Sequence, residues 1–395
     1  MHKPITVFFN LRLLAKILLF VIPLVFLARI YLPAQPAQIT FTALRWPGEI
    51  EVVNQQDADD IMEALRYVHK VREPGPPEKM ALYLMTIQQG KKKQQYLITE
   101  KNEYFCLDGT AVLPSYRLRE IVNHYTARLE RLSPYGRLIP WSEARHIFGR
   151  FVKGTVEDID TGLRFDVQRR EGRYHADVQP LTARDTAIMK EIYEGEWSWR
   201  RKAVVVEVDN MRIAASMSGM PHGAGAIKHN EFDGHFCLHF LDSTTHNNPE
   251  STNLAHQIMV WKAAGRLPEM LANASPEKVV EIFLTSLGQQ APDISLLTLA
   301  GEPALDAKDF MLRSTQVESI NYEIVEYNKD TDTVTAKVQI DYLDGPRGIQ
   351  KELEFRMVHS MGYWWKIDPR NIELIFEPKA TAGFKDLGPV QEKCF

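Results

Sequence analysis

The chain has 395 residues, of which 45% are hydrophobic and 25% charged, and a formal net charge of −4. That length exceeds one ordinary core, so two or three domains are expected. The near-neutral balance leaves no electrostatic case for nucleic acid as a partner, and three scattered cysteines (Cys106, Cys237, Cys394) exclude a disulfide scaffold.

Residues 1–36 read as a cytoplasmic tip, a membrane anchor and a linker. The run "ILLFVIPLVFLA" (17–28) carries no charge, and with Lys16 and Arg29 snorkelling the stretch reaches about 22 residues from Leu11 to Leu32, near the roughly 20 that span a bilayer. Lys3, Arg12 and Lys16 precede the uncharged core, so the N-terminus is expected in the cytoplasm and the bulk of the chain outside. The rival reading is a cleaved signal peptide, because the core "ILLFVIPLVFLA" is short.

Residues 37–132 predict a small α+β domain. Alternating "ITFTALRW" and "EIEVV" suggest strands, and "DADDIMEALRYVHKV" a helix with Ile61, Leu65 and Val68 on one face. A hairpin around Gly90 and a helix near 115–130 follow. Cys106, among apolar neighbours, reads as a small buried hydrophobe.

Residues 133–268 predict a β-rich domain. Leu163, Phe165 and Val167 alternate, and "TARDTAIMKEIYEG" is a helix with Thr182 as N-cap, Asp185 three positions on and Gly195 at its end. "AVVVEV" and "RIAASM" form a hairpin turning at Asp209-Asn210. "LAHQIMVWKAAG" closes the domain as a helix. Residues 275–378 open on a helix with Ser275 as N-cap and Pro276 in its first turn. Four strands follow, and one helix on an antiparallel sheet resembles the NTF2-like fold. Residues 379–395 read as a disordered tail.

The chemistry concentrates in the third of these segments. Six of the twelve histidines (222, 229, 235, 239, 246 and 256) lie within 222–256, where even spreading would put about one. In "GHFCLHF" (234–240) a period of two sets His235, Cys237 and His239 on one face and Phe236, Leu238 and Phe240 on the other. Gly219, Gly223, Gly225 and Gly234 flank this strand and permit close backbone approach. One reading is thiol catalysis, with His222 folding back over 15 residues to take the proton of Cys237. A second is zinc, shared by His235, Cys237, His239 and His246. A third is a binding or scaffolding site without turnover.

At these residues the chain resembles the L,D-transpeptidase (YkuD-type) family. His222-Gly223 matches its upstream His-Gly, and Gly234-His235-Phe236-Cys237-Leu238-His239 its downstream Ser/Thr-His-Gly-Cys-x-Arg/Asn. The resemblance implies an enzyme with Cys237 as nucleophile, His222 as general base and His235 as a shaping residue beside the thiol. No cofactor is implied. The implied partner is a peptidoglycan stem peptide, cleaved at an L,D-bond through a thioacyl-enzyme. Gly223, Gly234 and His239 fall at substrate-binding positions. Phe236 stands where the family has glycine, and His239 where it has arginine or asparagine, so Arg201 is a candidate substitute for the carboxylate-binding arginine. The wider run "HADVQPLTARDTAIMKEIYEGEWSWRR" to "HFCLHF" resembles a block of envelope proteins of spore-forming Firmicutes. The expectation is an α+β protein held at the cell membrane and facing the wall.

Overall fold

The structure is a computed structural model that describes residues 36–71, 81–99, 101–245, 250–301, 307–360 and 364–377. The predicted anchor, the tail and Cys394 lie outside the described residues. Among the described residues no helix is long and apolar enough to cross a membrane. The architecture is mixed α+β, and the chain divides into two compact units, breaking near Leu129–Glu130.

Among its described residues the first unit is a seven-stranded sheet with two helices. Its strands are β1 (Gln38–Ala43), β2 (Glu49–Glu51), β3 (His69–Val71), β4 (Ala81–Gln89), β5 (Lys92–Thr99), β6 (Tyr104–Cys106) and β7 (Ala111–Leu113). They are ordered β2-β1-β4-β5-β6-β7-β3, and β4 and β5 turn at Gly90, whose φ is +59°. Helix α1 (Gln55–Arg66) starts two residues earlier than the acidic run suggested, because the Asn54 side chain accepts hydrogen bonds from Gln56 and Asp57 N–H. It also ends sooner, so Val68 lies beyond it. Helix α2 (Tyr116–Glu130) buries Leu118, Ile121, Val122, Tyr125 and Leu129 at helical spacing. Cys106 is half-buried, and burial raises its thiol pKa above the ordinary value.

The second unit begins with α3 (Trp141–Ile147) and contains a closed six-stranded barrel. Its strands are β8 (Lys153–Asp158), β9 (Arg164–Glu171), β10 (Ala176–Pro180), β11 (Arg201–Val208), β12 (Met211–Ser218) and β13 (Phe236–His239), joined in the order β10-β13-β12-β11-β8-β9. Alternation drives closure. Val156, Phe165, Val178, Val206, Met217 and Phe236 all face one interior core. Between β10 and β11, α4 (Ala183–Ile192) carries the expected capping box, Thr182 and Asp185 bonding each other's backbone N–H. Gly195 closes it with φ +90°. The β11–β12 hairpin turns at Asp209 and Asn210, both with positive φ.

Outside the barrel lies α5 (Leu254–Ala263). Ala203 of β11 and Ala214 of β12 are small enough to let Ile258, Met259, Val260 and Ala263 pack close. Short α6 (Leu267–Ala272) leads to α7 (Pro276–Gly288), capped by the Ser275 hydroxyl. After α8 (Pro292–Leu297) and α9 (Ala307–Ser314), the strands β14 (Val317–Asn328), β15 (Thr333–Tyr342), β16 (Ile349–Ser360) and β17 (Trp364–Ile367) form an antiparallel sheet in sequence order. Val279, Phe283 and Leu287 of α7 pack on Val334, Ala336 and Val338. Ile282, on another side of α7, joins the cluster of Ala203 and Ala214, so barrel and C-terminal sheet share apolar contacts within one unit.

Candidate functional site

Strand β13 obeys its period of two. Phe236, Leu238 and Phe240 are fully buried in the barrel core. Cys237 and His239 therefore point to the outer face, where they too are covered, at 1% and 0% exposure. Register supplies their neighbours. Asp177 of β10 lies opposite Cys237. Ser216 of β12 lies opposite His239, and the same register sets Ser218 beside Cys237.

His222 reaches the thiol by a backbone device. The N–H of His222 donates to the His235 carbonyl at 3.0 Å, and the His235 N–H donates to the His222 carbonyl at 2.9 Å. This two-residue bridge needs its glycines. A Cβ at Gly234, whose φ is +108°, would stand 2.4 Å from the His222 carbonyl oxygen, and one at Gly223 (φ +63°) would stand 2.5 Å from the His235 ring. The result is a Cys237 Sγ to His222 Nε2 distance of 3.3 Å. His222 Nδ1 is 2.8 Å from the Met220 carbonyl oxygen, which can only accept. Nδ1 therefore carries the hydrogen of the neutral ring, and Nε2 turns its lone pair toward the thiol. Trp199 packs against this imidazole with ring centroids 5.2 Å apart.

Behind the thiol stands a second group of imidazoles. His239 is stacked between His256, at 3.6 Å, and His175, at 4.3 Å. His256 Nδ1 is 2.9 Å from the Ser216 hydroxyl, and His175 Nδ1 donates to the Thr244 carbonyl at 2.9 Å. Asp177 Oδ1 lies 3.4 Å from His175 Nε2 and 3.9 Å from His235 Nε2. One ligand atom each from His175, Cys237 and His239 lies within 4.8 Å of the others.

Of the predicted residues, Cys237, His222 and His235 come together as expected, and Gly223 and Gly234 shape their backbone. His239 is not at the entrance but fully buried in the stack. His235 donates through Nδ1 toward the Ala224 carbonyl at 3.2 Å, and the metal-compatible cluster has His175 in its place. His246 lies outside the described residues. Arg201 is 5% exposed and starts β11 opposite Ser218. It thus sits on the outer face, two strands from Cys237, about 10 Å across the ladder. Arg201 Nε and Ser218 Oγ are both buried without a hydrogen-bond partner among the described residues.

Gln179 is a site residue that the sequence did not single out. Fully buried on β10, it donates to the Gly234 carbonyl at 2.7 Å and accepts from the N–H groups of Ala226 at 2.8 Å and Ile227 at 3.1 Å. It ties the Gly-rich loop to the strand bearing the thiol. Gln179→Ala is expected to cost about 2–3 kcal/mol, since buried backbone groups lose their partner. Denaturant unfolding of the variant beside the wild type checks the effect. Across family models, curated proteins and solved structures, no match to this chain was found.

Proposed function

We propose that the protein is a cysteine-dependent acyltransferase of L,D-transpeptidase type, acting on peptidoglycan stem peptides. The observation that carries the reading is the 3.3 Å approach of His222 Nε2 to Cys237 Sγ, with the ring's other nitrogen held by Met220. The substrate class follows from the motif resemblance, and an anchored, wall-facing location follows from the apolar, positively flanked N-terminus. The helix-on-sheet arrangement of residues 275–378 supports an NTF2-like reading of that segment.

In this chemistry His222 Nε2 takes the thiol proton as Sγ attacks the carbonyl carbon of the L,D-peptide bond. The same nitrogen then gives that proton to the departing amine, leaving a thioacyl group on Cys237. An incoming amine or water loses its proton to His222 and releases the acyl chain, restoring the thiol. The 223–226 segment is exposed while Sγ is buried, so a substrate carbonyl reaches the sulfur as this segment yields.

The row of Ser218 and Arg201 beside Cys237 supports a carboxylate-binding role for Arg201. Arg201→Ala is expected to raise KM and lower kcat/KM by about 10- to 100-fold, the worth of one hydrogen bond to a charged group. Amidated stem peptides are expected to show less of this loss. Steady-state kinetics on carboxylate and amide substrates make the comparison.

The test of the whole reading is acyl exchange on defined stem tetrapeptides with a D-amino acid acceptor. Turnover by the full chain that vanishes in Cys237→Ala supports it. Peptidoglycan binding with no turnover and an inert thiol would replace it with a scaffolding role.

A further inference from the structure

We propose that His175, Cys237 and His239 form a binding site for a thiophilic divalent cation, zinc above all, and that the bound ion withdraws the Cys237 thiolate from acyl transfer. The inhibitory half rests on the thiol chemistry proposed above, and the binding half stands without it. Three buried donors, at 1%, 1% and 0% exposure, offer ligand atoms within 4.8 Å of one another. One thiolate with two imidazoles is the nitrogen and sulfur donor set of zinc, whereas calcium and magnesium take oxygen.

Two further features fit an ion. The His175 Nδ1 hydrogen is committed to the Thr244 carbonyl, which leaves Nε2 as that ring's ligand atom. A ligating histidine is oriented in this manner, its second nitrogen donating to a carbonyl or carboxylate. Asp177 Oδ1 lies 3.4 Å from His175 Nε2, so the thiolate and this carboxylate together match the two positive charges of a buried divalent ion. Zinc bonds of about 2.0–2.3 Å set ligand atoms roughly 3.3–3.6 Å apart, so the three close in by about 1 Å as the stacked rings tilt. The fourth position is left for water. Binding replaces the thiol hydrogen: Cys237–SH and Zn²⁺ give Cys237–S–Zn⁺ and a proton released to solvent, with no change of oxidation state. His222 then faces a sulfur with no proton to give.

The experiment uses the metal-stripped full chain, cobalt(II) as a spectroscopic probe, zinc as competitor, and peptide-level iodoacetamide labelling of Cys237. One equivalent of cobalt is expected to give a thiolate-to-metal charge-transfer band that zinc displaces, and zinc is expected to suppress labelling. His175→Gln keeps a side chain of hydrogen-bonding size. It is expected to weaken zinc binding on the order of 100-fold or more, at or beyond the loss of an outer partner, while metal-free labelling is retained. His222→Ala is expected to do the reverse, slowing labelling with the cobalt band intact. A wild-type chain without the band, or a band unchanged in Cys237→Ala or His175→Gln, overturns the site. A band with no zinc effect on labelling overturns the inhibitory role. An intact band with labelling indifferent to His222→Ala supports the metal site and counts against the catalytic dyad.

Discussion

His222→Ala is expected to lower acyl transfer by about 10²- to 10⁴-fold, the usual contribution of a positioned general base. The thiol would stay in place, since Phe236 and Leu238 anchor β13 in the barrel core independently of the His222 ring. The loss should therefore fall on kcat more than on KM, because the base acts in the transition state and not in holding the ground-state substrate. The measurement is steady-state kinetics beside a thermal unfolding curve. A slow variant that melts with the wild type fits the dyad. A variant of unchanged rate would remove His222 from the chemistry.

The two faces of β13 predict opposite outcomes for neighbouring positions. Phe236→Ala deletes a fully buried ring that packs against Phe165 and Phe232. It is expected to destabilise the unit by about 3–5 kcal/mol, through lost transfer energy and the cavity left behind. Cys237→Ala, one residue on, removes a single sulfur from the outer face and is expected to cost about 1 kcal/mol while abolishing the proposed acyl transfer. Denaturant midpoints for the two variants, read with the same fluorescence signal, separate the structural face from the reactive one.

Much of the fold was legible where it depends on local chemistry. The Thr182–Asp185 box, the Ser275 cap, the Asp209-Asn210 turn and the alternation of "GHFCLHF" are short-range signals, and each appears in the structure as the residues suggest. The shortened first helix shows the limit of such signals. Acidic residues at 57 to 60 mark the neighbourhood of an N-terminus, but the Asn54 side chain sets where the turn begins.

The site was legible in part for the same reason. His222 and Cys237 are 15 residues apart and are joined by a bridge whose glycines stand out in the sequence. Asp177 and Gln179 come from strand β10, and His175 from the residue just before it, more than 50 residues upstream, and only the β10–β13 register brings this segment to the site. No local pattern signals that His256 stacks on His239. Barrel closure is a long-range event, and the residues it gathers carry no shared spacing. Strand parity placed His239 beside Cys237 correctly. Its burial depends on α5 and His175, which parity does not see.

The central claim, a Cys237 thiol activated by His222, is tested most directly by trapping its covalent intermediate. The full chain, mixed briefly with a stem tetrapeptide, acid-quenched and digested, is read by peptide mass spectrometry. The account predicts an acyl group carried by the peptide containing Cys237, formed more slowly in His222→Ala and absent from Cys237→Ala. Turnover of the tetrapeptide with no acyl group on Cys237, or acylation at Cys106 in its place, would contradict it.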